Sequence, residues 1–263
     1  MNITDSRIDG GKAFDWGRTS EDYAKYRDIY PEEFYKKLVN IGICTKGQKV
    51  LDLGTGTGVL PRNMYKYGAE FIGTDISENQ IEYAKILAEK QNMNIRFEVC
   101  SAEDTNYPDS SFDIITACTC FFYFDHEKVI PNLARMLKSN GKLVIAYMSW
   151  LPYDDKIAGE SEKLILKYNP VWSGCGETRH KIDIPKCAEK YFDVEYSDTY
   201  DIRIPFTRES WNGRMKACRG IGASLTPEKI SEWENEHMKM LKETAPEKFD
   251  VLHYCSVAVL RKI

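Results

Sequence analysis

Between residues 49 and 148, short apolar runs alternate with amphipathic stretches, and this order restricts the possible folds more than any other feature of the sequence. Such runs have the length of buried strands. Strands that alternate with helices predict an α/β fold, in which helices cover both faces of a parallel sheet. Ligands of such sheets bind at the carboxyl ends of the strands. The predicted strands are residues 49–53, 70–75, 95–100, 112–118 and 143–148.

The rest of the chain is less regular. Residues 194–204 and 251–260 have the pattern of strands, and they would complete the sheet at its edge. Residues 184–192 and 226–244 are predicted to be helical, and the helix before the fifth strand is predicted to end at residues 140–141.

The length of 263 residues favours one domain with insertions over two separate domains. We predict a core at residues 31–150 that binds the ligand. Lid-like or substrate-binding additions are predicted at residues 151–190 and 206–248.

The composition favours a small molecule as the partner. The net charge of −4 disfavours nucleic acid and anionic membranes, since both bind basic surfaces. The eight cysteines lack the spacing of metal ligands and are interpreted as reduced thiols. No apolar signal segment or membrane span is evident. We therefore expect a cytoplasmic protein without a metal, a membrane or nucleic-acid partner, or an obligate protein partner.

A glycine loop (residues 54–58) follows the first predicted strand. Glycines at alternate positions let the chain turn tightly and let a ligand approach the backbone. A dinucleotide loop has the spacing G-x-G-x-x-G, whereas this loop has G-x-G-x-G with Asp52 just before it. A carboxylate there would repel a pyrophosphate and would suit a cation. The loop residues are Gly54, Thr55, Gly56, Thr57 and Gly58.

Asp75 ends the second predicted strand, where an acidic residue can accept hydrogen bonds from both hydroxyls of a ribose. The alternative role for Asp75 is to cap the following helix. Ser77 is the better cap by residue type, and it lies three residues before Gln80.

The segments VLDLGTGTG, GTDIS and SAEDTNYPDSSFDIITA resemble, in order and spacing, the successive motifs of class I S-adenosylmethionine-dependent methyltransferases. The resemblance covers residues 49–148. It implies a Rossmann-like α/β fold: a seven-stranded, mostly parallel sheet with helices on both faces, an antiparallel last strand and helical lid additions. It also implies a single methyltransferase domain over residues 1–263, with S-adenosylmethionine as the cofactor.

The same resemblance assigns cofactor-binding roles to residues at the strand ends. Asp52 and the glycine loop would bind the methionine part, Asp75 would bind the ribose, and Ile76 would pack on the adenine.

The adenine edge and the sulfonium would be bound from the next two strands. Ala102 would face the adenine with its backbone, Glu103 would accept from the adenine amino group, and Cys118 would lie beside the sulfonium. The alternative role for Glu103 is a solvated turn residue.

The N-terminal segment resembles the Y-x-x-x-R…Y-P segment that folds over the cofactor in several small-molecule methyltransferases. Residues 1–30 are therefore predicted to form a lid. Tyr23 and Arg27 are four residues apart and would share a helix face, from which Arg27 could reach the cofactor carboxylate. The alternative is a solvated basic helix.

No catalytic residue is identified from the sequence, and only Tyr123 and His253 are candidates. Methyltransferases with a similar pattern carry a His where this chain has Phe122. The aromatic residues around Phe122 could form a wall that binds the substrate and stabilises a cation, or they could belong to the core. His237 lies among Glu and Lys residues and is interpreted as a solvated helix residue.

The C-terminal part is loosely similar to trans-aconitate-type methyltransferases. Three arginines lie near Trp211, and arginines can bind a carboxylate with two hydrogen bonds. An acceptor that carries a carboxylate is therefore one hypothesis, and surface ion pairs are the alternative. The arginines are Arg208, Arg214 and Arg219.

Three functions are consistent with these patterns. A small-molecule methyltransferase is the interpretation that the motifs favour. The alternatives are a non-catalytic protein that binds S-adenosylmethionine and a nicotinamide-dependent oxidoreductase, which the loop spacing and Asp52 disfavour.

Overall fold

The computed structural model describes residues 3–28 and 30–263. The chain forms two compact units, and each unit is built from segments that are distant in sequence. Unit 1 comprises Met1–Ile29, Ser149–Arg179 and Asp201–Tyr254. Unit 2 comprises Tyr30–Met148, His180–Tyr200 and Cys255–Ile263. The domain boundaries predicted from the sequence stay a prediction.

Helices and strands alternate through most of the chain. The helices are α1 (Ser20–Tyr26), α2 (Glu32–Asn40), α3 (Val59–Met64), α4 (Glu78–Lys90), α5 (His126–Met136), α6 (Lys156–Tyr168), α7 (Arg208–Lys216) and α8 (Pro227–Thr244). The strands are β1 (Lys49–Leu53), β2 (Glu70–Asp75), β3 (Arg96–Val99), β4 (Phe112–Cys118), β5 (Leu137–Trp150), β6 (Phe192–Thr207) and β7 (Lys248–Lys262).

The strands form one seven-stranded sheet in the order β3-β2-β1-β4-β5-β7-β6. The strands β1 to β5 pair in parallel, and the last strand is antiparallel. This confirms the predicted α/β fold and its mostly parallel sheet. In the register, Asp52 of β1 lies opposite Gly73 of β2 and Thr116 of β4. The carboxyl ends of these three strands therefore lie side by side.

In unit 2, the residues that precede α3 and α4 have the chemistry of helix starts. The Ser77 hydroxyl accepts from the Gln80 N–H at 3.4 Å and caps α4, as predicted. Ile81, Ala84 and Ala88 of that helix are buried. Gly58 precedes α3 with a φ of 74°, a left-handed conformation that favours glycine.

Two predicted helices end or form differently in the structure, and one helix was not predicted. The helix predicted to end at residues 140–141 ends at Met136, because Leu137 is extended and pairs with Phe112 of β4. Residues 184–192 form only a 3₁₀ turn at Lys186–Lys190, and Phe192 already belongs to β6. The helix α7 was not predicted. Its N-terminus carries a capping box formed by Thr207 and Ser210.

No helix within residues 3–28 and 30–263 combines the length and the apolar character that a bilayer span requires.

Candidate active site

The glycine loop adopts a conformation that side chains other than glycine would strain. Gly54, Gly56 and Gly58 have φ values of 57°, 57° and 74°. A Cβ atom on Gly54 would lie 2.8 Å from the Cβ and Sγ atoms of Cys120, and one on Gly58 would lie 2.7 Å from the Phe97 ring. Glycine is therefore required both for the backbone turn and for the close packing around it.

Asp52 is a buried carboxylate at the end of β1. Its Oδ1 atom accepts a 2.5 Å hydrogen bond from the Thr116 hydroxyl of β4. The pKa of Asp52 is raised to about 7, chiefly by burial; the hydrogen bond from Thr116 lowers it, and the nearby carboxylate of Asp75 is a smaller cause that raises it. A cation bound beside this carboxyl group would stabilise its ionised form.

Asp75 holds the glycine loop against the start of α4. Its Oδ2 atom accepts from the Gly56 N–H and its Oδ1 atom accepts from the Ser77 N–H, both at 2.9 Å. Burial raises the pKa of Asp75, and these two hydrogen bonds lower it. Since Ser77 caps α4, the carboxylate of Asp75 is placed at the loop rather than used as the cap.

The turn after β3 contains the residues predicted to contact adenine. Ala102 is buried, and the Ile76 side chain after β2 is 37% exposed. The Glu103 carboxylate accepts from the Asp125 N–H at 2.9 Å, so it joins this turn to the N-terminus of α5. Glu103 is thus an ordered part of the turn, and its contact with a cofactor stays a prediction.

The chain reverses directly after β4. Thr119 has a φ of 58°, which is rare for a β-branched residue, and its N–H donates to the Ala146 carbonyl at 2.7 Å. The Cys120 thiol is then 3.2 Å from the Leu53 carbonyl. Burial, followed by the nearby Asp52 charge, raises the pKa of the Cys118 and Cys120 thiols well above its ordinary value. Both side chains are therefore protonated and are poor nucleophiles.

The aromatic run after β4 divides into buried and exposed rings. Phe121 and Phe124 are buried and belong to the core of unit 2. Phe122 is 44% exposed, and its ring lies 4.2 Å from the Tyr123 ring and 6.0 Å from the Tyr147 ring. The alternative that these rings form the core therefore holds for Phe121 and Phe124 but not for Phe122.

Asp52, the glycine loop and Asp75 of unit 2 lie together at the carboxyl ends of β1 and β2, next to β4, where a ligand was predicted to bind. Asp75 is close enough to Asp52 for its charge to raise the pKa of Asp52. Such a pair would repel a pyrophosphate and would attract a group with a cationic end and hydroxyl donors. S-Adenosylmethionine has an ammonium group and two ribose hydroxyls, so the residues present fit this cofactor.

Tyr23 and Arg27 lie in unit 1. The Arg27 guanidinium lies 4.4 Å from the centre of the Tyr23 ring, which confirms that the two side chains share one face. The ring of Trp16 lies 6.0 Å from the same guanidinium. The role of these residues in binding a cofactor stays a prediction.

The three arginines near Trp211 already contact groups of unit 1. Arg208 donates to the Ala245 carbonyl at 2.7 and 3.0 Å and pairs with Glu247. Arg219 forms a buried ion pair with Asp9 at 2.8 Å. Arg214 lies over the Trp150 ring, with its guanidinium carbon 4.9 Å from the ring centre. The ion pair of Arg208 with the exposed Glu247 is what the alternative of surface ion pairs expects, whereas the ion pair of Arg219 is buried. A role of these arginines in binding substrate stays a prediction.

Trp211, also predicted to bind substrate, is fully buried in unit 1. Its Nε1–H donates to the Ser161 hydroxyl at 2.9 Å. This hydroxyl also contacts His237 Nε2 at 2.9 Å, and His237 Nδ1 contacts Asn212 at 2.8 Å. The prediction that His237 is solvated is wrong, because α8 packs this face of the helix against α6 and α7.

His253 is enclosed by aromatic rings in unit 1. Its ring stacks on Phe206 with 6.0 Å between centres and contacts the edges of Trp150 and Trp211. Its Nδ1 lies 3.0 Å from the Val251 carbonyl. Burial lowers the pKa of His253 to about 3, so the imidazole is neutral at neutral pH.

The buried imidazole predicts a loss of stability in acid. Since burial lowers the pKa of His253 from 6.5 to about 3, the unfolded chain binds the proton first. The stability that His253 contributes is complete well above pH 6.5 and falls by about 1 kcal/mol over the first pH unit below 6.5. The variant His253→Phe should lose that much less free energy of unfolding between neutral pH and one unit below 6.5. Urea unfolding of both proteins measures this difference, and equal losses in the two proteins would contradict it.

Within residues 3–28 and 30–263, no group of three or more His, Cys, Asp and Glu side chains could hold a metal ion.

Comparisons with known proteins show the family to which the chain belongs. The sequence pattern that defines the family of methyltransferase domains matches residues 44–203. A ubiquinone biosynthesis O-methyltransferase of Coxiella burnetii is 37% identical over 108 residues, which are 41% of this chain and 46% of the relative. A demethylmenaquinone methyltransferase of Thermus thermophilus is 32% identical over 113 residues, which are 42% of this chain and 51% of the relative. The chain thus spans about half the length of these curated relatives.

Among solved structures, the YcgJ protein of Bacillus subtilis superposes with a TM-score of 0.52 at 19% identity. The superposition covers 86% of this chain and 97% of that protein, so it supports the fold. The match to the family confirms the resemblance to class I methyltransferases, together with S-adenosylmethionine as the cofactor. Because the matched residues include β1 to β5 and the glycine loop, the chain belongs to the family of methyltransferase domains.

Proposed function

We propose that this protein transfers the methyl group of S-adenosylmethionine to a small-molecule acceptor. The observation that carries the proposal is the buried carboxyl group of Asp52, which lies beside Asp75 at the glycine loop. A buried acid without a cationic partner costs free energy. A ligand with an ammonium group would remove that cost, and a ligand with a phosphate would add to it.

Different residues of unit 2 would bind different parts of the cofactor. Asp52 would accept from the ammonium group of the cofactor, and Asp75 would accept from the ribose hydroxyls. The backbone of the glycine loop would approach the cofactor without side chains in the way. Glu103, Ala102 and Ile76 are proposed to contact the adenine. When bound, the cofactor supplies a methyl group that is already activated by a cationic sulfur.

Because the methyl group is already activated, the chief task of the protein is to align the acceptor, the methyl carbon and the sulfur. Positioning of this kind supplies several kcal/mol of rate enhancement. Cys118 is proposed to lie beside the sulfur at the end of β4. The names of the two curated relatives, which concern ubiquinone and menaquinone, support a small molecule rather than a macromolecule as the acceptor.

An acceptor with a carboxylate is one form of this proposal. The guanidinium of Arg214 would bind that carboxylate from α7, with Arg208, Arg219 and Trp211 supporting the helix. Residues 1–30 and the additions in unit 1 are proposed to act as lids. A cytoplasmic location is supported by the eight cysteines, which all lack a disulfide.

The first experiment separates this function from its rivals by ligand-induced stabilisation. S-Adenosylhomocysteine at 100 times its dissociation constant should stabilise the protein by about 2.7 kcal/mol, and NAD should have no effect. The second experiment measures S-adenosylhomocysteine release from S-adenosylmethionine with a panel of small acceptors. Release with at least one acceptor supports the enzyme. Stabilisation by NAD alone would favour the oxidoreductase, and binding without release by any acceptor would favour the non-catalytic protein.

A further inference from the structure

His253 of unit 1 carries a buried nitrogen atom without a hydrogen-bond partner. The side chain is fully buried, and its ring stacks on Phe206. In the part of the chain that the structure describes, no group forms a hydrogen bond with its Nε2 atom. A buried polar atom that loses its hydrogen bonds to water and gains none costs free energy. Such an atom in a native fold therefore indicates a partner that the chain itself does not supply.

The tautomer of His253 makes Nε2 a hydrogen-bond acceptor. The Nδ1 atom lies 3.0 Å from the Val251 carbonyl. A carbonyl can only accept, so in the neutral ring Nδ1 carries the hydrogen and Nε2 carries the lone pair. Burial lowers the pKa of His253 to about 3, although the hydrogen bond to Val251 raises it, and the charge of Arg214 is a smaller cause that lowers it. The ring is therefore neutral at neutral pH.

The two tryptophans that contact His253 use their N–H groups elsewhere. The ring centres of Trp150 and Trp211 lie 6.5 and 6.2 Å from the centre of the imidazole. The Nε1–H group of Trp150 donates to the Glu162 carboxylate at 2.6 Å, and that of Trp211 donates to the Ser161 hydroxyl at 2.9 Å. The lone pair on Nε2 is thus left to a donor from outside the chain.

A cation restricts which donor can take this position. The guanidinium carbon of Arg214 lies 4.9 Å from the centre of the Trp150 ring, which His253 also contacts. The charge of Arg214 is close enough to His253 to lower the pKa of the imidazole. An ammonium donor would be repelled by this charge, and a carboxylate has no hydrogen to donate. A hydroxyl group can donate to Nε2 and turn a lone pair of its oxygen towards the guanidinium.

We propose that His253 Nε2 accepts a hydrogen bond from a hydroxyl group of the methyl acceptor, and that the acceptor is a hydroxy acid whose carboxylate binds to Arg214. This inference rests on the proposed function, in its form with a carboxylate-bearing acceptor, and names the substrate class. His253 is then a specificity residue and not a base. An acid without the hydroxyl group would leave Nε2 unpaired, and a mismatch of this kind lowers affinity.

An internal water molecule would offer the same hydroxyl donor, so the test must separate the two sources. The probes are two pairs of acids that differ only in a hydroxyl group: lactate with propanoate, and mandelate with phenylacetate. The full-length protein is labelled with ¹⁵N at its four histidines and saturated with S-adenosylhomocysteine. The ¹⁵N resonance of Nε2 reports whether this atom accepts a hydrogen bond, and the variant His253→Phe assigns the resonance.

The Nε2 resonance of His253 should move when lactate or mandelate is added, in the direction of a hydrogen-bonded nitrogen. It should stay in place with the matched acid that lacks the hydroxyl group. His237 is the internal control, because it is also buried in unit 1 but both of its ring nitrogens have partners. Its resonances should stay in place with all four acids.

Calorimetric titration of the same acids gives a second readout. The wild type should bind the better hydroxy acid on the order of 10-fold more tightly than its matched partner, as for one buried hydrogen bond. The variant His253→Phe keeps an aromatic ring and removes the acceptor, so it should bind both acids of the pair equally. The variant Arg214→Met should weaken both acids and keep the preference for the hydroxyl group.

Three results would overturn the inference. The first is that the wild type binds neither pair or shows no preference within a pair, and the second is that His253→Phe keeps the preference. The third is an Nε2 resonance that is already at the hydrogen-bonded position without an acid and does not move with either hydroxy acid, which would assign the partner as water. Failure to bind S-adenosylhomocysteine in the first step would instead overturn the proposed function.

Discussion

Replacing Asp75 with alanine should lower the affinity for S-adenosylhomocysteine by roughly 100-fold or more. The proposal gives this carboxylate two hydrogen bonds to ribose hydroxyls, and each charge-assisted bond contributes about 1.5–3 kcal/mol. A loss of about 3 kcal/mol corresponds to roughly a 100-fold change in the dissociation constant. Asp75 also holds Gly56 and Ser77 through their N–H groups, so its removal loosens the loop as well. Calorimetric titration measures the affinity directly.

The control for this experiment is Asp104→Ala, which removes a carboxylate from the turn after β3. Asp104 pairs with the Ser101 hydroxyl and has no assigned contact with the cofactor. The affinity of the Asp104→Ala variant for S-adenosylhomocysteine should stay within about threefold of that of the wild type. An Asp75→Ala protein that is folded and binds as tightly as the wild type would remove Asp75 from the site.

The second large effect concerns stability. Gly58→Ala should lower the free energy of unfolding by about 3 kcal/mol, since it adds two costs. An alanine in the left-handed region costs about 1–2 kcal/mol, and Gly58 has a φ of 74°. The new Cβ would also lie 2.7 Å from the buried Phe97 ring, and crowding of this kind costs about 1–3 kcal/mol.

Gly47→Ala separates the two costs. Gly47 has a φ of +87°, but nothing lies within 4 Å of the position that its Cβ would take. This variant should therefore lose only about 1–2 kcal/mol. Urea unfolding of both variants and the wild type measures the difference. Equal losses for Gly47→Ala and Gly58→Ala would show that the packing of Phe97 against the loop does not constrain this position.

The elements around the site could be predicted because local chemistry specifies them. The strand before the glycine loop is a continuous apolar run that ends in glycines, so its bounds, Lys49–Leu53, match the prediction. The same holds for Glu70–Asp75 and Phe112–Cys118. Ser77 was predicted as a cap by its type and spacing, and it is the cap.

Other features could not be predicted because they depend on contacts between distant residues. Leu137 is extended because it pairs with Phe112, although its own sequence neighbours favour a helix. His237 is buried because Ser161 and Asn212 approach it from other helices, whereas its own neighbours are charged. The capping box of α7 uses Ser210 in place of the usual Glu or Gln, so the start of that helix was not recognised.

The positions of the aromatic residues after β4 could be predicted only in part. Their sequence alone could not separate a core from a binding surface, because aromatic side chains serve in both. The contacts separate them: Phe121 and Phe124 pack inward, and Phe122 meets Tyr147 at the surface. His180 joins this surface from a distant part of the chain, and no local pattern marks it.

The central claim is that Asp52 binds the ammonium group of the cofactor in its ionised form. Burial raises the pKa of Asp52 to about 7, so a fraction of the molecules carry a proton there at neutral pH. A bound cation lowers that pKa, so binding must release the proton, and the affinity must rise as the pH rises through 7. Asp52→Asn keeps the shape of the side chain and removes the charge.

The decisive measurement is the calorimetric titration of S-adenosylhomocysteine at neutral pH, in two buffers with different ionisation enthalpies. The wild type should release a fraction of a proton on binding, and less of it as the pH rises above 7, because some of the Asp52 side chains start protonated. Asp52→Asn should release none and should bind roughly 10- to 100-fold more weakly, as for the loss of one charge-assisted hydrogen bond. Equal affinity and equal proton release in the two proteins would contradict the assignment of Asp52, and the absence of any binding by the wild type would contradict the cofactor site as a whole.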